Sequence, residues 1–419
     1  MKSIMLLSLS LSLSAAAAPS LTSVTAAQDW PWSQKVHIDY TLEADAPCDL
    51  EVSATWRGCG APLKLMRANG LSGLTFGVAS GSGTLTWDPH AAGLTNALPG
   101  LKFTVTPVLV SSRTYLVLDL VSGEHEYLSD VPSGGWTEEY KTTKLVFRRI
   151  PAGTFQMGVP QAHKDFIVNP TVHWDEREGV HSVTISHDYY LAIFPLTQAQ
   201  YLTINNKAVS DETTKLQPYR DPYVNLRDKN KQPGEIDNWP LTGHAVEKAT
   251  SIGLLRAKFG SEFLFDLPTD AQWERAARAG SSGIWYPIDG YPLGGTPDEL
   301  GTWGNDKCRA FLNAIGKWEG TSVAADVGQC TPNAWGLYDL IGLYWEWCLD
   351  QWTGDTSALP DSTDPLGPAV TPKPTYRILR GGCSTAINMS VAIGRRDKGL
   401  AGGTKGCVRL AVHLVPLVD

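Results

Sequence analysis

This 419-residue sequence has no run of lysine or arginine and no interleaving of basic with aromatic side chains. Its 35 Lys and Arg against 43 Asp and Glu leave a formal charge of −8. The basic footprint that grips a phosphate backbone is missing, which excludes nucleic acid as a partner. Beyond the first eighteen residues, no stretch approaches the ~20 apolar residues that span a bilayer. None of the seven cysteines falls in a CxxC pair, so the usual structural zinc spacings are excluded. Nor is the chain poor in apolar residues: 42% hydrophobic and 19% charged is enough to build a core, which excludes a disordered chain.

What is present begins with an address. Met1-Lys2 precedes the apolar stretch Ile4 to Ala18, rich in Leu, Ser and Ala, which reads as a secretory signal peptide. Cleavage after Ala18, next to the awkward Pro19, or after Ala26 places the mature start between Pro19 and Gln28, and residues 1–27 are assigned to the leader. The mature chain is then expected to be secreted or held in a bacterial cell envelope. In that oxidising setting Cys48 with Cys59, and Cys308 with Cys330, are candidate disulfides; the odd count leaves at least one thiol unpaired within the chain.

Forty glycines and 27 prolines among short apolar runs predict a loop-rich, strand-rich chain of about two or three domains. Residues 28–130 read as an antiparallel β-sandwich, with strands over Lys35–Leu42, Leu50–Trp56, Phe103–Val110 and Tyr115–Val121 separated by turn clusters such as Asn69-Gly70 and Asp88-Pro89. His37, His90 and His125 are isolated there and read as ordinary polar or capping residues. Residues 131–143, with Gly134-Gly135, read as a linker into a second domain over 144–419. Two helices announce themselves by capping boxes, Thr197 with Gln200 and Thr269 with Gln272; His244 to Phe259 is a third, less regular one. The fold class is α+β. His163, His173, His181 and His187 crowd one stretch, but at spacings that fit neither a helix face nor a zinc site, and they read as solvated loop residues.

Six segments of the second domain carry a resemblance. They are Ile150 to Gly158; Glu176 to Tyr201; Leu267 to Gly280; Asn333-Ala334-Trp335-Gly336-Leu337-Tyr338-Asp339; Trp345-Glu346-Trp347; and Arg380-Gly381-Gly382. In this order they resemble the formylglycine-generating enzyme, or sulfatase-modifying factor, family. That resemblance implies a loop-rich variant of the C-type lectin fold for the C-terminal two-thirds of the chain, and says nothing of the N-terminal sandwich.

The resemblance also implies sites. A structural calcium would be held by Asp339 and Glu346 with the carbonyls of Leu340, Gly342 and Tyr344, an all-oxygen set that suits this ion. The oxidase members bind copper through two thiolates, soft ligands for Cu(I). Laid without gaps on Arg380-Gly381-Gly382-Cys383, those positions fall at Ala386 and Val391, so copper is not expected. Cys383 is left as the one catalytic candidate, with a disulfide to Cys407 or Cys348, a buried thiol and a metal ligand as its other readings. Arg395 and Arg396 lie where the family places an active-site arginine, and either line the cleft or form a surface charge cluster beside Asp397. Trp303 and Trp318 are the exposed aromatic candidates for a ligand, whereas Trp345 and Trp347 read as core.

The resulting reading is a secreted sulfatase-modifying-factor-like protein, lacking the copper pair, that binds a protein, peptide or glycan. The alternative is an oxidase that converts a sulfatase cysteine to formylglycine with an atypical site around Cys383. A hypervariable receptor is disfavoured, since no Asn- and Tyr-rich patch lies between Ser384 and Gly406.

Overall fold

Strand alternation organises the N-terminal unit of the architecture. In the computed structural model, Val36–Glu43 buries every second residue, and so does Gly81–Trp87 near its end. The structure describes residues 18–29, 33–66, 69–167, 178–207, 213–219, 250–259, 263–317, 325–352, 359–366, 376–382, 392–400 and 406–414. The chain divides into two units, Met1–Val110 and Ser111–Asp419.

The first unit holds two antiparallel sheets, as the sandwich reading expects. One runs in the order Ser20–Gln28, Val36–Glu43, Gly81–Trp87, Leu71–Ser72, and the other Leu63–Leu65, Cys48–Thr55, Lys102–Leu109. Ile38, Leu42, Leu85 and Trp87 from the first sheet share a core with Leu50, Val52 and Ala54 from the second. Gly83 lies beneath the Tyr40 ring, which an added Cβ, 2.4 Å from the phenol oxygen, would push aside.

Two boundaries differ from the sequence reading. Ser20–Gln28, assigned to the leader, is a strand in eight register pairs with Val36–Glu43. Tyr115–Asp119, read as part of the sandwich, pairs instead with Lys144–Ile150 in the second unit. The division therefore falls at Val110 rather than near residue 130, since that strand's partners lie C-terminal to it. The stretch read as a linker is also part of the second unit. Tyr140 is buried, the Thr197 hydroxyl donates to Lys141 O (2.6 Å), and Gln200 Nε2 donates to Tyr140 O and Lys144 O.

The second unit is built on a six-stranded antiparallel sheet, in the order Leu264–Asp266, Ala411–His413, Tyr189–Ala192, Lys144–Ile150, Tyr115–Asp119, His125–Leu128. A four-stranded sheet, Asp397–Leu400, Tyr376–Arg380, Trp345–Gln351, Gly406–Cys407, lies elsewhere in the same unit. Both capping boxes form: Thr197 opens the helix Gln198–Ile204 and Thr269 opens Asp270–Arg278. The second helix ends through Ala279 and Gly280, both left-handed. The third expected helix is seen over Ser251–Lys258; the stretch 220–249 lies outside the described residues. Helices are few and short beside the strands.

Candidate functional site

The helix Asp270–Arg278 turns Asp270 and Glu274, one turn apart, toward strands Trp345–Gln351 and Tyr376–Arg380, and there the structure assembles a buried ionic network. Asp270 sits between two guanidiniums: Arg380 Nε donates to Oδ1, and Arg396 Nε donates to Oδ2 at 2.6 Å. Glu274 takes Arg278 Nη2 (2.7 Å) and the Gly158 N–H (2.7 Å), and pairs with Arg380 Nη1 at 3.0 Å. Glu178 accepts from Arg395 Nη1 with both oxygens, at 2.8 and 3.0 Å, and from the Arg396 N–H. Burial works against the charge of Asp270 and of Glu274, yet the surrounding arginines outweigh it and hold both carboxyls below their ordinary values.

Asp350 completes the network from the opposite strand, accepting the Asp270 N–H at 2.6 Å and so capping the first turn of the helix. Burial, followed by the charge of Asp270, pushes its carboxyl up to about 7. Cys348, two residues earlier on the same strand, is fully buried, and its thiol is raised well above the ordinary value by burial and then by Asp270. It is a thiol, not a thiolate, and so a poor nucleophile.

Arg395 and Arg396 are both tied into this network by carboxylates. Arg396 is 3% exposed and clamped on Asp270; Arg395, partly exposed, is held by Glu178. Trp303 is not an open platform. It is half-buried, stacked on Trp285 (6.1 Å between rings) with Phe166 edge-on at 5.9 Å. Trp345 and Trp347 are core, as expected. Cys383, Ala386, Val391 and Trp318 lie outside the described residues. His181, read as a solvated loop residue, is buried in a strand with Nδ1 2.9 Å from Gly179 O; His173 is outside the described residues.

The loop expected to hold calcium curls through three left-handed residues, Asp339, Gly342 and Leu343. It is locked beneath Gly381 (φ +87°), where a Cβ would stand 3.0 Å from Leu340 O. Glu346 Oε1 accepts from Arg409 Nη2 (2.7 Å), while Oε2 accepts from Arg409 Nε (2.8 Å) and Trp273 Nε1 (2.6 Å). Asp339 Oδ2 accepts the Gly328 N–H at 2.5 Å. Burial pushes Asp339 up to about 6, opposed by that N–H and by Arg409 and reinforced by Glu346. Carboxylate and carbonyl oxygens alone make up the donor set, which fits a hard cation. Arg409 already neutralises Glu346, so what that residue has left for an ion is the second lone pair of Oε1.

The disulfide expectations are corrected. Cys48 and Cys59 are separate thiols: Cys48 Sγ donates to Ala46 O, and Cys59 Sγ accepts from Trp56 N. The strand Cys48–Thr55 carries the chain roughly 20 Å between them, beyond the reach of a disulfide. Cys308 is likewise a thiol, in the first turn of the helix Asp306–Ile315, whereas Thr331, next to Cys330, bonds Ala314 O about 9 Å further up that helix.

Sequence reading missed Glu178, Asp350 and the pairing of Asp270 with Arg380 and Arg396. Asp270 and Arg380 lie within motifs that sequence alone singles out, but their junction depends on a distant strand.

With this geometry in place, the comparisons are specific. A model described as the sulfatase-modifying factor enzyme 1-like domain matches residues 137–408. The serine/threonine-protein kinase pkn1 of Chlamydia pneumoniae is 27% identical over 252 residues, covering 59% of this chain and 34% of that protein. The formylglycine-generating enzyme of Thermomonospora curvata is 32% identical over 130 residues, 28% of this chain and 37% of that one. The chain therefore spans about a third of the length of these curated relatives. Among solved structures, Treponema denticola variable protein 1 aligns with a TM-score of 0.43 at 21% identity, over 64% of this chain and 95% of that one.

Proposed function

Because the chain belongs to the sulfatase-modifying factor family through its C-terminal two-thirds, we propose that it is a secreted member that binds a protein or glycan ligand rather than oxidising a cysteine. The observation that carries this reading is the pairing of a kept framework with absent thiolates. The motif helix, the Trp-x-Trp strand and the Arg-Gly-Gly strand are joined by Asp270–Arg380 and Trp273–Glu346, while the ungapped copper positions hold Ala386 and Val391. A thioether-free alanine and a valine offer no soft ligand for Cu(I). Cys348, buried and held as a thiol, offers no substitute.

Calcium belongs to the same proposal. The Asp339 carboxylate, the carbonyls of Leu340, Gly342 and Tyr344 and the open lone pair of Glu346 would hold it, and its chemistry there is to stiffen the loop.

The oxidase alternative is favoured by the 32% identity to a formylglycine-generating enzyme. The two are separated by incubating the copper-loaded protein with a sulfatase peptide that contains the target cysteine. The binding reading expects the peptide mass to stay unchanged beside an active positive control. Conversion of cysteine to formylglycine would reverse the assignment.

A further inference from the structure

Buried guanidiniums are normally matched by carboxylates, since the uncompensated charge is costly away from water. In this protein Arg278, Arg380, Arg395, Arg396 and Arg409 all follow that rule. Arg148 and Arg275 break it. Arg148, on strand Lys144–Ile150, donates from Nε to Trp335 O and from Nη1 to Thr114 O, both at 3.2 Å, and lies over the Tyr115 ring at 5.3 Å. Arg275, on the helix Asp270–Arg278, donates from Nε to Pro151 O (2.8 Å) and from Nη2 to Ala152 O (2.7 Å). Its guanidinium stands 5.8 Å from the Trp335 ring and 5.9 Å from Phe155.

Both arginines are half-buried, and among the described residues neither has a carboxylate at salt-bridge distance. Carbonyl dipoles and ring faces stand where counter-charges would be. Burial lowers the pKa of each, opposed by Tyr115 and Tyr190 at Arg148 and by Tyr189 and then Asp188 at Arg275; Asp188 is itself bonded to Arg149 and the Ala152 N–H. Among the described residues the remaining donors, Arg148 Nη2 and Arg275 Nη1, have no hydrogen-bond acceptor, and neither is a buried atom.

Trp335 joins the two, clamping Arg148 with its carbonyl and facing Arg275 with its ring. It is itself fixed: Asn333 Oδ1 accepts the Trp335 and Leu337 N–H groups, and Asn333 Nδ2 donates to Ala276 O and Ala277 O on the helix that carries Arg275. The donors are therefore held in place before any ligand arrives, which lowers the ordering cost of binding. In a chain of net charge −8, two such cations on one fixed residue, one at its carbonyl and one at its ring, are a local exception.

We propose that Arg148 and Arg275, joined by Trp335, form an anchoring site for an oxyanion, a sulfate or carboxylate carried on a saccharide. Each guanidinium has two nitrogens on backbone carbonyls and offers such a group its remaining Nη donor together with its charge, and the Trp335 ring suits the apolar face of a sugar. This assignment rests on the ligand-binding reading above and names the chemistry of the ligand.

Calorimetry on the mature full chain tests it, with four probes: a sulfated dextran oligosaccharide, an oligogalacturonate, neutral dextran and sodium sulfate. The acidic oligosaccharides are expected to bind and neutral dextran not to. Arg148→Gln and Arg275→Gln should each weaken binding about tenfold, with Arg→Lys at either position recovering part of the loss. The Lys variants keep the charge and lose the guanidinium's paired bonds to backbone carbonyls, and far-UV circular dichroism of every variant guards against misfolding. Unchanged affinity in the double Gln variant, or no binding of either acidic oligosaccharide to the wild type, would overturn the proposal. Sulfate ion binding as tightly as the oligosaccharide, with the same arginine dependence, would keep the anion site and overturn the saccharide as carrier. Neutral dextran binding indifferent to both arginines would overturn this site and leave the broader ligand-binding reading standing.

Discussion

Asp350 and Asp270 lie on facing elements, one backbone N–H apart, yet their carboxyls are displaced in opposite directions. Asp350, pushed up to about 7 from 3.8, holds a proton in the folded state that the unfolded chain releases, so its contribution to stability falls as pH rises from about 4 to about 7. Asp350→Asn keeps the acceptor for the Asp270 N–H and removes the ionisation. It should be more stable than the wild type at pH 8, by on the order of 2–4 kcal/mol, and nearly unchanged at pH 4. Urea unfolding at the two pH values checks this; an equal effect at both would show that Asp350 does not titrate in the fold. Asp270 has the reverse sign. Its carboxyl lies below the unfolded value, so its contribution is present above that value and is lost as pH falls through the folded one. Asp270→Asn at pH 7 removes the carboxylate shared by two buried guanidiniums, leaving Arg380 with Glu274 alone, and should cost about 3–5 kcal/mol in the same measurement.

The N-terminal strand and the loop proposed to hold calcium each carry a test at the scale of elements. Ser20–Gln28 pairs along its whole length with Val36–Glu43, and Leu21 packs on the sandwich core, so cleavage after Ala26 would remove most of an edge strand. If the leader is cleaved as proposed, the product is expected to begin before Ser20, as N-terminal sequencing would read; a start at Ala27 would contradict the strand's role. Calcium at saturating concentration should raise the unfolding free energy by about 2.7 kcal/mol at one hundred times its dissociation constant. Asp339→Asn should abolish that gain, and a wild type indifferent to calcium and chelator would remove the ion from the account.

Elements were legible where their cause is local. The helix Asp270–Arg278 could be read from Thr269 and Gln272 because a capping box lies within four residues. Asp306–Ile315 escaped, its only opening signal being Asn305 among glycines and a tryptophan. Tyr115–Asp119 was visible as a strand, but its partner was not, because pairing is set by tertiary contact. The fate of Arg395 was hidden for the same reason: Glu178 lies 217 residues away in sequence.

At the scale of the molecule, a sandwich unit over Met1–Val110 precedes a unit whose framework is that of the sulfatase-modifying factors. That framework depends on apolar packing and on buried ion pairs, Asp270–Arg380 and Glu346–Arg409 above all, none of which needs copper. A fold can keep such a scaffold while its chemistry changes, since the reaction belongs to the site rather than the architecture. The central claim is that this member binds without the family's copper oxidase centre. Cu(I) uptake by the purified mature protein under reducing conditions, with Cys383→Ser alongside, tests it most directly. The account predicts no stoichiometric copper in either protein. One Cu(I) per chain in the wild type, lost in Cys383→Ser, would contradict it and restore the oxidase.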